Sequence, residues 1–379
     1  MKILTHCYEF PPIGGGGAKV VLGLSQQLIA LGHHVDLVTM KFRDQPSRNE
    51  VHGIHVYRAP CIRTSQVVCY PPELASYIAS AIPLSLKLMK KKNYDLNHTH
   101  FVFPDGVVSW VLKKLTGFPY ILTVHGSDVP GYNPDRFRGL HKLLSPIWRK
   151  VVESATHIVS PSETVRDLVL KQCPTVPISI VPNGIDLNKF LSSQQKLPRV
   201  LVVSRLFKRK GIQHVLQALA ELENLSGYEV DIVGDGPYLA TLQNMASNMN
   251  VKVKFWGYLE NNSSQLKQLF GESSIFVFPS ESENFPIVLL EAMAAKLAII
   301  TTQSTGCAEV VGDAGILVKI GDVRAIRYAL AELTRSPERC RTLGELARQR
   351  LEAHYSWKTV TEQYLEIYRK FADIQSHQS

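Results

Sequence analysis

Two glutamates eight residues apart, Glu283 and Glu291, occupy the most informative stretch of the chain, which runs from Phe278 to Ile300. Just before them, Ser273-Ser-Ile-Phe-Val-Phe-Pro is short, apolar and rich in β-branched and aromatic residues, the composition of an interior strand of a parallel sheet. The pattern predicts a strand over Ser274–Phe278, a polar turn over Pro279–Asn284 and a helix opening at Pro286. Proline suits the first helical position, where a backbone donor has no partner, and it biases Phe285 toward an extended conformation. Glu283 then lies in the loop at the carboxyl end of the strand, where open α/β sheets bind ligands. Glu291 lies one to two turns into the helix. Eight helical residues span about 12 Å, so the two carboxylates cannot grip one atom. They could hold two ends of an elongated ligand, such as a sugar and a ribose. Two solvated glutamates beside an ordinary strand-loop-helix would show the same spacing.

Three further constellations could do chemistry. Ser204-Arg205-Leu-Phe-Lys208-Arg-Lys210-Gly211 puts four cations within six residues at a strand-to-helix turn. Arginine can grip a phosphate bidentately and lysine acts on it as a point charge; a solvated basic loop is the plainer alternative. Gly14–Gly17 follows the first strand, and glycines there let backbone amides approach a phosphate at a helix N-terminus. A dinucleotide-binding loop needs an acidic residue at the carboxyl end of strand two. That end is Val38-Thr39-Met40-Lys41, with Asp36 at the strand's start, so the NAD alternative is weakened while a tight structural turn stays open. Thr123-Val-His125-Gly-Ser-Asp128 ends a strand, and His98 and His100 of Asp95-Leu-Asn-His-Thr-His end another. Histidines at such loop edges could line a site; satisfied core or surface histidines are the plainer alternative.

The elements that must position these residues alternate. In the first half Ile3–His6 reads as a strand, Ala18–Leu31 as an amphipathic helix and Val35–Met40 as the next strand. Leu96–His98, the helix Gly106–Thr116, Tyr120–Val124 and His157–Ser160, leading to a helix from Glu163, follow. The second half restarts: strand Arg199–Ser204, helix Gly211–Glu221, strand Glu229–Val233, helix Pro237–Met249, strand Val251–Trp256 and helix Ser264–Phe270. A β-α alternation run twice predicts two domains on parallel sheets with helical crossovers. The polar, pattern-free Leu191-Ser-Ser-Gln-Gln-Lys-Leu-Pro198 sets the boundary within Asp186–Pro198, giving domains 1–188 and 189–356 and a last helix over 357–373 with a frayed tail.

At 379 residues, 45% hydrophobic and 20% charged, the chain has the bulk of a soluble globular protein. No apolar run is long enough to span a bilayer, and MKILTHCYEFPP reads as strand one rather than a signal peptide. Six scattered cysteines without a C-x-x-C pair argue against a zinc or disulfide framework and fit a reducing cytosol. The net charge of +9 is lopsided, with 21 Lys+Arg against 13 Asp+Glu in residues 1–190. That asymmetry suggests an anionic surface or ligand for the first half. Leu84-Ser-Leu-Lys-Leu-Met-Lys-Lys-Lys92 and His141-Lys-Leu-Leu-Ser-Pro-Ile-Trp-Arg-Lys150 could each lie in a membrane interface as a basic amphipathic helix, or be a solvated face over a core stripe.

Glu283-Asn-Phe-Pro-Ile-Val-Leu-Leu-Glu291-Ala-Met resembles the paired-glutamate signature of retaining glycosyltransferases of family 4, which have the GT-B fold. The resemblance implies an α/β protein with two Rossmann-like domains whose parallel sheets face an interdomain cleft. The first domain would bind the acceptor, with helix 357–373 packing back on it, and the second would bind the donor. Phe10-Pro-Pro-Ile-Gly-Gly-Gly-Gly17 resembles the family's donor-phosphate loop, with Gly16 and Gly17 matching its paired glycines. Arg-Leu followed by Lys-Gly matches the family pattern at Arg205 and Lys210, whose role would be to neutralise the departing diphosphate. The resemblance places His125 near the transferred sugar, with Asp128 and His100 as acceptor candidates. Glu291 would take the ribose, and the Glu283 carboxylate with the backbone of Asn284, Phe285, Pro286 and Ile287 would hold the sugar. Gly234-Asp-Gly-Pro237 and Phe255-Trp-Gly257-Tyr258, turn chemistry first, fall where the family has nucleotide-contacting loops, Gly234 and Tyr258 among them. Val181-Pro-Asn183-Gly184-Ile-Asp186 falls at its hinge. Ser304-Thr-Gly306-Cys-Ala-Glu309 and Gly315-Ile-Leu-Val resemble its next blocks. The chain departs from the signature at Asn284 and Pro286, where glycines are usual beside the sugar, and at Lys296 and Ala298.

The implied activity is retaining, metal-independent hexosyl transfer from a UDP- or GDP-sugar to a glycan or lipid-linked acceptor. It would take place in the cytoplasm, with an anionic membrane surface as a candidate partner, no nucleic acid and no cofactor. The alternatives are a sugar-nucleotide epimerase or hydrolase of the same fold, and a catalytically idle glycan- or membrane-binding protein.

Overall fold

The computed structural model describes the chain except residues 67–68, 133–137, 223–224, 226, 248, 304–305 and 377–379, and the side chains of 138–143 and 372–376. Ser304 and Thr305, the leading residues of one family-like block, and His141, Lys142 and Leu143 of the second basic segment thus lie wholly or in their side chains outside the described residues. Met1–Gly184 with Trp357–Ser379 forms one compact unit and Ile185–Ser356 the other.

The first unit holds strands β1 (Lys2–His6), β2 (His34–Met40), β3 (Arg48–Val51), β4 (Ile54–Ala59), β5 (Leu96–His100), β6 (Ile121–Thr123), β7 (His157–Ser160) and β8 (Ile178–Ile180). They form one sheet in the order β3-β4-β2-β1-β5-β6-β7-β8. Every pairing is parallel except that of β3 with β4. The β3 sequence, Arg-Asn-Glu-Val, presents a charged and half-exposed edge, which discourages pairing with another chain. Interior strands are buried on both faces and so lack a polar-apolar alternation. Ile3, Leu37, Val56 and Ile121 join the core under the Gly16–Ala30 and Trp357–Ser376 helices, which contribute Leu24, Leu28, Tyr364 and Tyr368. Their neighbours Leu4 and Val38 pack on the opposite face against Tyr77, Ala81 and Leu88 of the Pro71–Lys91 helix.

The second unit holds β9 (Arg199–Val203), β10 (Glu229–Val233), β11 (Val253–Phe255), β12 (Ile275–Phe278), β13 (Ala298–Thr302) and β14 (Ile316–Val318) in an all-parallel sheet ordered β11-β10-β9-β12-β13-β14. Adjacent residues alternate between two cores. Leu201, Phe276 and Ile299 pack with the Ile287–Ala294 helix, while Val200, Val202, Ile275, Val277 and Ile300 pack with the Ile212–Ala220 and Val323–Arg335 helices. Helices therefore cover both faces, as a parallel sheet requires.

Several expected bounds shift. The helix after the glycines starts at Gly16 and ends at Ala30 rather than running Ala18–Leu31. Pro286 is the residue before the Ile287–Ala294 helix, with an extended backbone, instead of its first helical residue; a one-residue difference of this kind is within the fraying of helix ends. The expected Pro237–Met249 helix covers only Leu239–Ala246, and the Val251–Trp256 strand only Val253–Phe255.

Candidate active site

In the second sheet, β9 and β12 are neighbours although they are far apart in sequence, and the strand order reverses between them. Loops leaving the carboxyl ends of two strands at such a switch point diverge and leave a crevice. The loop after β9 carries Arg205 and Lys210, and the loop after β12 carries Glu283. The structure brings Lys210 and Glu283 into a direct ion pair, Nζ on Oε1. Both side chains are largely buried. Ser280 Oγ donates to the same carboxylate oxygen at 2.6 Å, and the Glu281 amide donates to the Arg209 carbonyl at 2.9 Å, stitching the two loops together. Buried charges persist when paired and hydrogen-bonded, so this cation and carboxylate are held in place. Arg205 differs: it is exposed, with its guanidinium 5.6 Å from the Phe207 ring centroid. The two cations expected to act together thus differ in exposure, Lys210 buried against Glu283 and Arg205 at the solvent side.

Glu291 is buried in the Ile287–Ala294 helix and accepts a hydrogen bond from Asn261 Nδ2 at 2.8 Å. Lys189 in turn donates to the Asn261 carbonyl oxygen. Asn261 was not expected, and nothing in Glu260-Asn-Asn-Ser-Ser marks it before the fold is known. Asn284 and Phe285 are buried, and the Phe285 ring packs edge-on against Tyr355 at 5.6 Å. The Glu283 carbonyl accepts from the Gly306 amide at 3.1 Å, fixing the backbone that leads through Asn284, Phe285 and Pro286 to Ile287. Gly234 follows β10 with φ +139°, and a Cβ there would overlap the Ser204 carbonyl, so only glycine lets the chain just past these two strands close up. Its amide donates to the Gly257 carbonyl at 2.8 Å, and next to Gly257 the Tyr258 ring stands 72% exposed.

In the first unit, the loops after β1, β5 and β6 converge. Gly16 and Gly17 open a 15-residue helix whose first turn has no acidic side chain and whose cap, Gly15, has no side chain to fill the amide donors. Such an N-terminus favours an anion. A Cβ on Gly17 would stand within 3.0 Å of two atoms of the Phe101 ring and 3.5 Å from His125 Nδ1. Phe101 itself has φ +71°, which is strained for a residue with a side chain, and its ring lies 4.2 Å from that of His125. His100 Nδ1 and His125 Nε2 are 3.2 Å apart. His98 is engaged on both sides, by Thr123 Oγ1 at 2.8 Å and Tyr368 Oη at 2.7 Å. Burial pushes the imidazoles of His98 and His125 down to about 3. Burial and its two histidine neighbours hold His100 well below the usual range. All three are neutral at pH 7. Asp128 accepts from the amides of Val102 at 2.8 Å and His125 at 2.9 Å, and burial raises its carboxyl despite those bonds. Its carboxyl holds the His125 loop through those two amides.

The basic segments are built into the fold. Leu84–Lys92 ends the Pro71–Lys91 helix, with Leu88 in the core and Lys92 bound to Asp36 Oδ2 at 2.5 Å, leaving Lys87, Lys90 and Lys91 exposed. Trp148 of the second segment is buried and donates to the Asp128 carbonyl at 2.8 Å, so its indole anchors the core and not an interface. Among the described residues no helix is long and apolar enough to cross a membrane.

Known proteins share this architecture. The sequence profile described as Glycosyltransferase Family 4 matches residues 14–189, and the profile described as Glycosyl transferases group 1 matches residues 186–350. The N-acetyl-alpha-D-glucosaminyl L-malate synthase of Bacillus anthracis is 26% identical over 388 residues, 97% of this chain and 96% of the relative. Sucrose-phosphate synthase from Thermosynechococcus elongatus superposes with a TM-score of 0.81 at 22% identity over 97% of this chain and 98% of its own. HepE of Anabaena, solved in complex with UDP, superposes at 0.76 with 16% identity over 98% of this chain and 100% of its own. Matched along nearly its whole length by these two profiles, the chain belongs to glycosyltransferase family 4, has the GT-B fold and is a glycosyltransferase.

Proposed function

We propose that the chain is a retaining hexosyltransferase that takes its sugar from a nucleotide diphosphate donor bound at the β9 and β12 loop ends of the second unit. The observation that carries this is the Lys210–Glu283 pair at the switch point, with Arg205 beside it on the same loop and Glu291 on the following helix. Lys210 and Arg205 face the diphosphate, supplying fixed positive charge where negative charge develops on the leaving group. Glu283 and the backbone of Asn284–Ile287 hold the sugar, and Glu291 takes the ribose hydroxyls. Gly234 and Tyr258 lie toward the base. Charge neutralisation is assigned to side-chain cations, without a metal. The C1–phosphate oxygen bond breaks with its electron pair leaving on the diphosphate. The acceptor oxygen bonds to C1 on the same face, and its proton passes to the departing phosphate oxygen. His125 contributes a neutral imidazole, a hydrogen-bond partner to sugar or acceptor rather than a cation.

UDP is the first donor base to test, since the HepE structure of the same fold holds UDP. The acceptor is a glycan or a lipid-linked glycan; the exposed Lys87, Lys90 and Lys91 of the first unit favour one presented at an anionic surface. The test is turnover of UDP- and GDP-hexoses with and without candidate acceptors, the product anomer being read by NMR. A product with the donor's own anomeric configuration is expected. An inverted product would overturn the mechanism. Full-rate conversion of donor without any acceptor would make the protein a hydrolase or epimerase.

A further inference from the structure

The amino-terminal end of the first sheet carries a cluster with no part in sugar transfer. His34 and Asp36 are two residues apart on β2, so their side chains leave the same face. The parallel register sets His55 of β4 beside Asp36. The facing atoms make a near-equilateral triangle: His34 Nε2 and His55 Nδ1 are 3.1 Å apart, and each is 3.2 Å from Asp36 Oδ1. Hydrogen bonds alone do not account for three such contacts. Each facing nitrogen carries either a proton or a lone pair. Two protons oppose each other across the nitrogens, and a lone pair opposes the carboxylate oxygen. A single cation satisfies all three lone pairs at once. Metal–ligand bonds of about 2.0–2.2 Å at tetrahedral angles put ligand atoms roughly 3.3–3.5 Å apart, a few tenths of an ångström from the spacing found.

The surroundings fit a held ligand set. Asp36 is fully buried, and its other oxygen is taken by Lys92 Nζ and Tyr94 Oη, each at 2.5 Å, which turns Oδ1 toward the imidazoles. Glu50 lies 3.7 Å from His55 Nε2, the ring nitrogen facing away from the triangle, where an outer carboxylate orients a metal-bound histidine. His34 and His55 are 40% and 27% exposed, so a fourth ligand enters from solvent.

We propose that His34, Asp36 and His55 bind one divalent transition cation of the zinc class, through His34 Nε2, His55 Nδ1 and Asp36 Oδ1, with water in the fourth position. The ion clamps β2 to β4 at the end of the sheet opposite the loops bearing Gly17 and His125. Its role is to stabilise the first unit. Lys92 beside the carboxylate keeps the affinity below that of a site with a free acid.

The test uses the full chain, free of any histidine tag and stripped of metal, titrated with Co2+ and then Zn2+. One Co2+ per chain with a tetrahedral ligand-field spectrum, displaced by Zn2+, and a Zn2+-dependent rise in Tm are expected. His34→Gln and His55→Gln should each weaken Co2+ binding by more than about tenfold, while their Tm in EDTA stays that of the wild type in EDTA, which shows that they fold. Absence of a stoichiometric spectrum in the wild type overturns the proposal whatever the variants do. An unchanged spectrum in the His34→Gln/His55→Gln double variant overturns it equally.

Discussion

At the switch point of the second sheet, the loops after β9 and β12 bring a lysine against a glutamate, with a second cation exposed beside them. Around the corresponding strands of the first sheet, the loops after β1, β5 and β6 bring together two glycines, a strained phenylalanine and two neutral histidines. The topology that positions the two sets is alike, yet one centres on a buried ion pair and the other on neutral imidazoles, with the carboxyls of Glu9 and Asp128 accepting from backbone amides around them. On the proposed reading a charged diphosphate needs cations held in place, and the contact with Glu283 holds Lys210 there. An uncharged hydroxyl acceptor needs close-packed surfaces and neutral hydrogen-bond partners, and a buried imidazole is one. Parallel-sheet loops supply placement, and residue type then decides which ligand each unit can hold.

The largest expected effect breaks the ionic side. Lys210→Ala removes the buried cation and strands the Glu283 carboxylate, and kcat/KM with the donor should fall by about 10²–10³ in steady-state assays. A loss below tenfold would assign the diphosphate to Arg205 and its exposed neighbours instead. On the imidazole side, Gly17→Ala forces a Cβ into the Phe101 ring beside His125. It should cost about 1–3 kcal/mol in denaturant unfolding and weaken nucleotide binding less than Lys210→Ala does. An equal loss of nucleotide affinity would show that the two sets are not separate. Glu291→Gln keeps the shape and loses the charge; nucleotide affinity by calorimetry should weaken about tenfold, or 1.4 kcal/mol. An unchanged affinity would remove the ribose from Glu291.

A further effect is in pH. His98 and His125 titrate in the folded chain near 3, against about 6.5 unfolded. Between those values the unfolded chain binds protons that the native one refuses, so stability is full above about 6.5 and falls as pH drops through that window. Urea midpoints at pH 7 and pH 5 should differ in that direction, and His125→Gln should shrink the difference. The raised Asp128 carboxyl works in the opposite sense, so the variant decides: a pH difference left unchanged by His125→Gln would show its imidazole to be solvated.

Much of the second unit was legible because its information is local. Phe276, Val277 and Phe278 announce a buried strand, the following turn has polar residues, and Arg205 to Lys210 are contiguous. The Lys210–Glu283 pair was not legible, since it depends on β9 and β12 becoming neighbours across 73 residues. Asn261 holds Glu291 by the same kind of long-range adjacency. In the first unit, β3 is not legible in the sequence because Arg48-Asn-Glu-Val has the polarity of a loop, and β4 pairs with it. The Pro71–Lys91 helix contains Pro83, which reads locally as a breaker. Without β4 there was no reason to set His55 beside Asp36, which had figured only as an acid at the wrong end of a strand for a ribose. The neutrality of His125 is a property of its burial and could not be read from a Val-His-Gly tripeptide.

Calorimetric titration of UDP, UDP-sugars and GDP-sugars into the wild type and Lys210→Ala, in EDTA throughout, tests most directly whether the β9 and β12 loop ends hold the donor. One nucleotide class binding the wild type under chelation, with affinity lost in Lys210→Ala, is the expected result. Equal binding by the wild type and Lys210→Ala, or binding only when a divalent metal is restored, would contradict it.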